Sequence, residues 1–107
     1  MQRVGFTFRI KPELKDGYKK DHDEIWPEVT QTIKDSGIKN YSIFFRKDGT
    51  LFAYLEIDGD FEEEMKKTAG TDVNRRWQEA MEKYFVKEDE SILGPETEML
   101  EEVFHQD

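Results

Sequence analysis

Val4, Phe6, Phe8 and Ile10 alternate with Arg3, Gly5, Thr7 and Arg9. A period of two predicts a half-buried strand. Pro12 suits a first helical turn. Leu14, Tyr18 and His22 follow at four-residue steps with Lys and Asp between them, which predicts a helix. Pro27 disfavours helical backbone at Trp26, so that helix breaks and restarts there. Trp26, Val29 and Ile33 form the apolar stripe of the second segment, which Gly37 closes as a C-terminal cap. Ile38 to Arg46 is rich in aromatic and β-branched residues. Leu51, Ala53, Leu55 and Ile57 alternate with Phe52, Tyr54 and Glu56. Between the two runs, Lys47-Asp48-Gly49-Thr50 is a turn in which glycine tolerates positive φ after aspartate, and together they predict a β-hairpin.

Phe61 and Met65 begin a short helix that Gly70 interrupts. Thr71 or Asp72 caps the next helix, whose stripe of Val73, Trp77, Ala80, Met81 and Tyr84 follows a 3.6-residue period. Residues 86–98 are charged, contain Gly94-Pro95 and predict a loop. Met99 to His105 is expected to be a final strand. The order β-α-β-β-α-β is the ferredoxin-like arrangement of an α+β fold. It implies an antiparallel four-stranded sheet with helices on one face. The opposite face must be covered or solvated, and homodimerisation through it is a common solution.

The 107 residues form one domain, 1–107, large enough for one modest core. Eight Phe, four Tyr and two Trp make the apolar fraction aromatic, which argues for a few large packing units. The net charge of −9 comes from 25 acidic and 16 basic residues that are interleaved. Without a segregated basic patch, such a surface repels nucleic acid and anionic membranes. The absence of cysteine excludes disulfides and thiolate metal sites. Met1-Gln2-Arg3-Val4-Gly5 enters the strand pattern with no apolar signal core, and no apolar run approaches the ~20 residues of a membrane span, so the cytoplasm is the expected compartment.

The segment from Tyr18 to Glu28 is where the sequence carries chemistry. Tyr18 and His22 share a helical face, a phenol and an imidazole one turn apart. Histidine is the side chain best matched to proton transfer near neutral pH. Trp26, close to the same face, offers an apolar platform for a sugar ring. The bland alternative is a solvated helix end with His22 paired to Asp21, Asp23 or Glu24. Tyr41 and Trp77, read from their surroundings alone, are packing residues. His22 and His105 have no metal-ligand spacing such as H-E-x-x-H. There is no glycine-rich phosphate loop and no G-x-S-x-G elbow.

Tyr18 followed by His22-Asp23-Glu24-Ile25-Trp26-Pro27-Glu28 resembles the Y-x-x-x-H-x-x-I-W-P-E signature of L-rhamnose mutarotases. Gly37 to Ile43 resembles the family's G-x-x-N-Y-x-I opening of the second strand. Leu51-Phe52-Ala53 is similar to its L-F-A strand and Glu102-Val103-Phe104-His105 to its E-V-F close. The resemblance spans nearly the whole chain, and the first stretch is the specific one. It implies a dimeric ferredoxin-like α/β barrel, interconversion of the anomers of L-rhamnose or a related 6-deoxyhexose, and no cofactor or metal. It puts the acid-base histidine at His22 and substrate-contacting tyrosines at Tyr18 and Tyr41. Thr71-Asp72-Val73 aligns with the family's T-D-V. That places the first of a tryptophan pair at Trp77 and the second at Gln78, where this chain departs from the pattern. The loop from Asp89 to Gly94 departs as well. Both departures bear on which sugar fits rather than on the reaction type.

Two other classes share the topology. Haem- or quinone-handling dimeric barrels would use His22 as an iron ligand, but the I-W-P-E context does not belong to them. RNA-recognition modules need aromatics on central strands within basic surroundings. The strand Leu51-Phe52-Ala53-Tyr54-Leu55-Glu56 lacks their Lys/Arg-Gly-aromatic opening.

Overall fold

The computed structural model describes all residues from Met1 to Asp107. Four strands form one antiparallel sheet: β1 (Gln2–Arg9), β2 (Ile38–Phe45), β3 (Thr50–Ile57) and β4 (Glu98–Leu100), in the order β2-β3-β1-β4. Helices α1 (Lys15–Asp23) and α2 (Pro27–Asp35) connect β1 to β2, and α3 (Phe61–Ala69) and α4 (Asp72–Met81) connect β3 to β4. Short 3₁₀ turns at Pro12–Leu14 and Glu82–Tyr84 precede α1 and follow α4. This is a small α+β fold.

The period-two pattern sets the sheet's two faces. Val4, Phe6 and Phe8 lie opposite Leu55, Ala53 and Leu51, and all six are buried under the helices. Burial of each large apolar side chain contributes ~1.5–3 kcal/mol, so a one-residue slip in register, which inverts the face, is strongly opposed. The other face carries Thr7, Phe52 and Phe44 in one row and Gly5, Tyr54 and Ser42 in the next. Phe44 is 66% exposed there.

The hairpin turn forms as expected. Asp48 accepts from the Arg46 guanidinium at 2.7 Å and from the Thr50 amide at 2.9 Å. Gly49 has φ +97°, and a Cβ on it would sit 2.4 Å from the Ile10 carbonyl oxygen. At the start of β2 a bulge falls between Lys39 and Ser42, with Asn40 at φ 51°. Ile38 and Ile43 are five residues apart and would otherwise face opposite sides. The extra residue lets Ile38, Tyr41, Ile43 and Phe45 all turn toward the helices.

Helix ends follow local chemistry. Pro27 opens α2 with Trp26 extended before it, which separates α1 from α2. Asp60 caps α3 by accepting from the Glu63 amide at 3.1 Å, and Thr71, not Asp72, caps α4 by accepting from Asn74 at 3.2 Å. Asp72 instead pairs with Arg75 and Arg76. Arg76 also reaches Glu28 at 3.1 Å, joining α4 to α2.

Two expectations need correction. The α-helix ends at Met81 and tightens to 3₁₀ geometry, so Tyr84 extends the stripe from a different turn type. The last strand covers Glu98–Leu100, not Met99 to His105. Leu100-Glu101-Glu102-Val103 does not alternate, so it cannot offer one apolar face to the sheet. At Glu102 an ion pair to Arg3 (2.9 Å) replaces the backbone ladder. Val103 and Phe104 are then 87% and 77% exposed.

Candidate functional site

A cavity of about 710 Å³ opens between the helices and the sheet. Its polar lining includes Tyr18 and His22 from α1, Tyr41 from β2 and Gln78 from α4, with Trp77 beside them. The helical spacing of Tyr18 and His22 stacks their rings, with centroids 4.3 Å apart and planes at 32°. His22 also meets the Trp77 ring edge to face at 5.6 Å and 77°.

The imidazole has a defined tautomer. His22 Nδ1 lies 2.9 Å from the Tyr18 carbonyl oxygen. A carbonyl only accepts, so Nδ1 carries the proton and donates it. Nε2 has no partner in the chain. His22 pairs with none of Asp21, Asp23 and Glu24: Asp21 accepts from Tyr84 and Asp23 pairs with Lys19.

Tyr18 is buried, and its hydroxyl makes no hydrogen bond within the chain. Burial pushes its phenol well above the ordinary range, and the nearby Tyr41 adds to the shift. Tyr41 keeps 39% of its surface exposed, yet burial of its phenol end raises it to about 12. Both are neutral phenols at physiological pH, able to donate as well as accept.

The tryptophans occupy different layers. Trp77 is buried and lines the cavity. Trp26 is half-buried, is not among the lining residues, and packs edge-on against Trp77 at 5.0 Å and 78°. Of the two rings, Trp77 therefore forms part of the cavity wall and Trp26 lies behind it.

Gln78 follows Trp77 and reaches the cavity wall. Its Nε2 donates to Asn74 Oδ1 at 3.3 Å, whereas its buried Oε1 has no hydrogen-bond partner. Gly94 sits against this amide at φ +84°, where a Cβ would come within 2.9 Å of Oε1. The loop carrying Gly94 is held by Lys87, whose buried ammonium donates to the Glu82 carboxylate and the Ile92 carbonyl. Glu82 also accepts from the Gly94 amide at 3.3 Å. Nothing local in the sequence distinguished Lys87 from surface lysines.

The chemistry available is proton exchange at an imidazole nitrogen next to neutral phenols, in a largely apolar cavity. No group of three or more His, Cys, Asp or Glu side chains is placed to hold a metal ion, and no helix is long and apolar enough to cross a membrane.

Comparison with known proteins agrees over the full length. The family profile described as L-rhamnose mutarotase matches residues 3–106. The L-rhamnose mutarotase of Oceanobacillus iheyensis is 41% identical over 108 residues, and that of Bacillus subtilis 37% identical over 108 residues; each match covers 100% of both chains. The crystal structure of an L-rhamnose mutarotase from Formosa agariphila superposes with a TM-score of 0.85 at 32% identity, covering 100% of both chains.

Proposed function

The chain belongs to the L-rhamnose mutarotase family, and we propose that it interconverts the α and β anomers of L-rhamnose or a closely related 6-deoxyhexose. It is an isomerase of the aldose 1-epimerase type. The observation that carries the assignment of roles is the Nδ1-bonded tautomer of His22, which leaves Nε2 unpartnered on a residue that lines the cavity with Tyr18 and Tyr41.

Mutarotation needs two coordinated proton transfers. A base takes the proton of the anomeric hydroxyl while an acid protonates the ring oxygen. The bond between C1 and the ring oxygen breaks, giving the open-chain aldehyde. Rotation about C1–C2 presents the other carbonyl face, and ring closure returns both protons. Neutral His22 receives the anomeric proton at Nε2 and becomes an imidazolium, still donating through Nδ1 to the Tyr18 carbonyl. A neutral phenol or a water supplies the ring-oxygen proton. Positioned proton transfer of this kind contributes typically ~10²–10⁴ in rate. Tyr18 and Tyr41 hold sugar hydroxyls, and Trp77 faces the C–H side and methyl group of the deoxysugar. Trp26 supports Trp77. Gln78 sets the polarity of one edge of the site.

The sheet is read as the ferredoxin-like arrangement of a dimeric α/β barrel. The exposed row of Phe44 and Phe52 supports a homodimer through that face. The cytoplasm is the proposed compartment. NMR exchange spectroscopy on a panel of free aldoses tests the function: L-rhamnose or a near relative should exchange faster with protein than in buffer, and no acceleration for any sugar would refute it.

A further inference from the structure

Helix α1 carries Tyr18 and His22, yet it is weakly tied to the fold by polar contacts. Its side chains pair among themselves: Lys15 with Asp16, Lys19 with Asp23, and His22 with the Tyr18 carbonyl. A single side-chain hydrogen bond leaves the helix. The Tyr84 hydroxyl donates to Asp21 Oδ2 at 2.5 Å.

Tyr84 is well placed to act as an anchor. It ends the 3₁₀ turn after α4, and its own carbonyl accepts from the Lys11 amide at 2.8 Å. Two residues on, the Val86 amide donates to the Arg9 carbonyl at 2.9 Å, with an Ile10–Phe85 bridge between. The backbone around Tyr84 is therefore fixed to the end of β1. From there its buried ring meets Tyr18 edge to face, 5.6 Å and 88°. The Asp21 hydrogen bond is the first cause of a Tyr84 phenol raised to about 12, with burial second.

Gly17 supplies independent support. A glycine inside a helix costs ~0.5–1 kcal/mol relative to alanine. A Cβ at Gly17 would lie 3.1 Å from the Tyr84 hydroxyl oxygen. Its absence lets α1 approach the phenol closely enough for Asp21 to accept.

We propose that Asp21 and Tyr84 form a latch that sets the position of α1, and through it the placement of Tyr18 and His22 against Trp77. They are positioning residues and touch no substrate. The inference rests on His22 as the proton-transfer group. Misplacing a reacting group by about 1 Å can cost ~10²-fold, so a partial release of α1 should be visible in rate.

Four variants test this: Tyr84→Phe, Asp21→Ala, Asp21→Asn and the double variant Asp21→Ala/Tyr84→Phe. Tyr84→Phe keeps the buried ring and its contact with Tyr18 while removing the donor. Asp21→Ala removes the acceptor, and Asp21→Asn keeps a side-chain oxygen to accept. The first two should each lower kcat for anomer exchange about ten-fold, with KM within about three-fold. The double variant should be no slower than either single one, because both break one bond. Asp21→Asn should stay within about two-fold of the parent. A second readout needs no activity. The His22 Cε1–H resonance lies near the Tyr18 and Trp77 rings, and should shift in Tyr84→Phe and Asp21→Ala but hardly in Asp21→Asn. Unchanged kcat and an unmoved resonance in Tyr84→Phe would overturn the latch. So would multiplicative losses in the double variant, or Asp21→Asn behaving like Asp21→Ala. If the parent protein accelerates no sugar, the functional reading fails, and the His22 resonance still decides the latch.

Discussion

The Nδ1–H of His22 donates to the backbone carbonyl of Tyr18, one helical turn earlier and 2.9 Å away. That single contact fixes the tautomer, the ring orientation and the nitrogen left unpartnered. It also explains why the two residues stack: the hydrogen bond pulls the imidazole back along the helix onto the Tyr18 ring.

The buried phenols give a pH prediction. Tyr41 and Tyr84 titrate at about 12 in the folded protein, and Tyr18 is raised further, against an ordinary value of 10. Above pH 10 the unfolded chain releases these protons while the folded chain keeps them. The unfolded state then binds fewer protons, so stability falls with rising pH. Their contribution is complete below pH 10 and is lost as pH climbs through about 12. Denaturant melts in this range should show a falling unfolding free energy. A flat profile there would contradict the raised values.

Gly49 gives a stability prediction. Gly49→Ala places a methyl group 2.4 Å from the Ile10 carbonyl at φ +97°. Strain of this kind costs ~1–3 kcal/mol. The variant should unfold at lower denaturant with an unchanged slope, and equal stability would show that the turn relaxes freely.

Gln78 gives a specificity prediction. Successive helix positions point about 100° apart, so Trp77 and residue 78 cannot present the same face to a sugar. Gln78→Trp replaces an amide with an apolar ring at the cavity edge. The ratio of exchange rates for L-rhamnose over L-fucose should change by about ten-fold, the scale of modest apolar pocket differences. An unchanged ratio would remove Gln78 from specificity.

The exposed sheet face gives an assembly prediction. Phe44 and Phe52, 66% and 37% exposed, flank each other in register. Light scattering at micromolar concentration should give twice the mass of one chain, and Phe44→Asp should shift it toward the monomer. A monomeric mass for the parent protein would contradict the proposed dimer.

Much of this fold was legible because its signals are local. The alternation of Val4, Phe6 and Phe8, the Asp48-Gly49 turn and the break at Pro27 each depend on neighbours in sequence. The pairing of Tyr18 with His22 was legible for the same reason, since helical spacing alone brings them together. What stayed hidden is long-range or depends on absent partners. Asp21 meets Tyr84 across 63 positions. Lys87 is buried because a loop folds over it. The nearness of Trp26 to His22 is visible in sequence, whereas its position behind Trp77 is set by α4. The early end of the last strand is hidden because Val103 and Phe104 are strand-forming residues by type, yet both stay largely exposed beyond Leu100.

Exchange spectroscopy of L-rhamnose at neutral pH, comparing the parent protein with His22→Ala, tests the central claim most directly. The parent should speed α/β interconversion over buffer without added metal. His22→Ala should fold normally by circular dichroism and lose at least ~10² of that acceleration. A folded His22→Ala that exchanges anomers as fast as the parent would contradict the account.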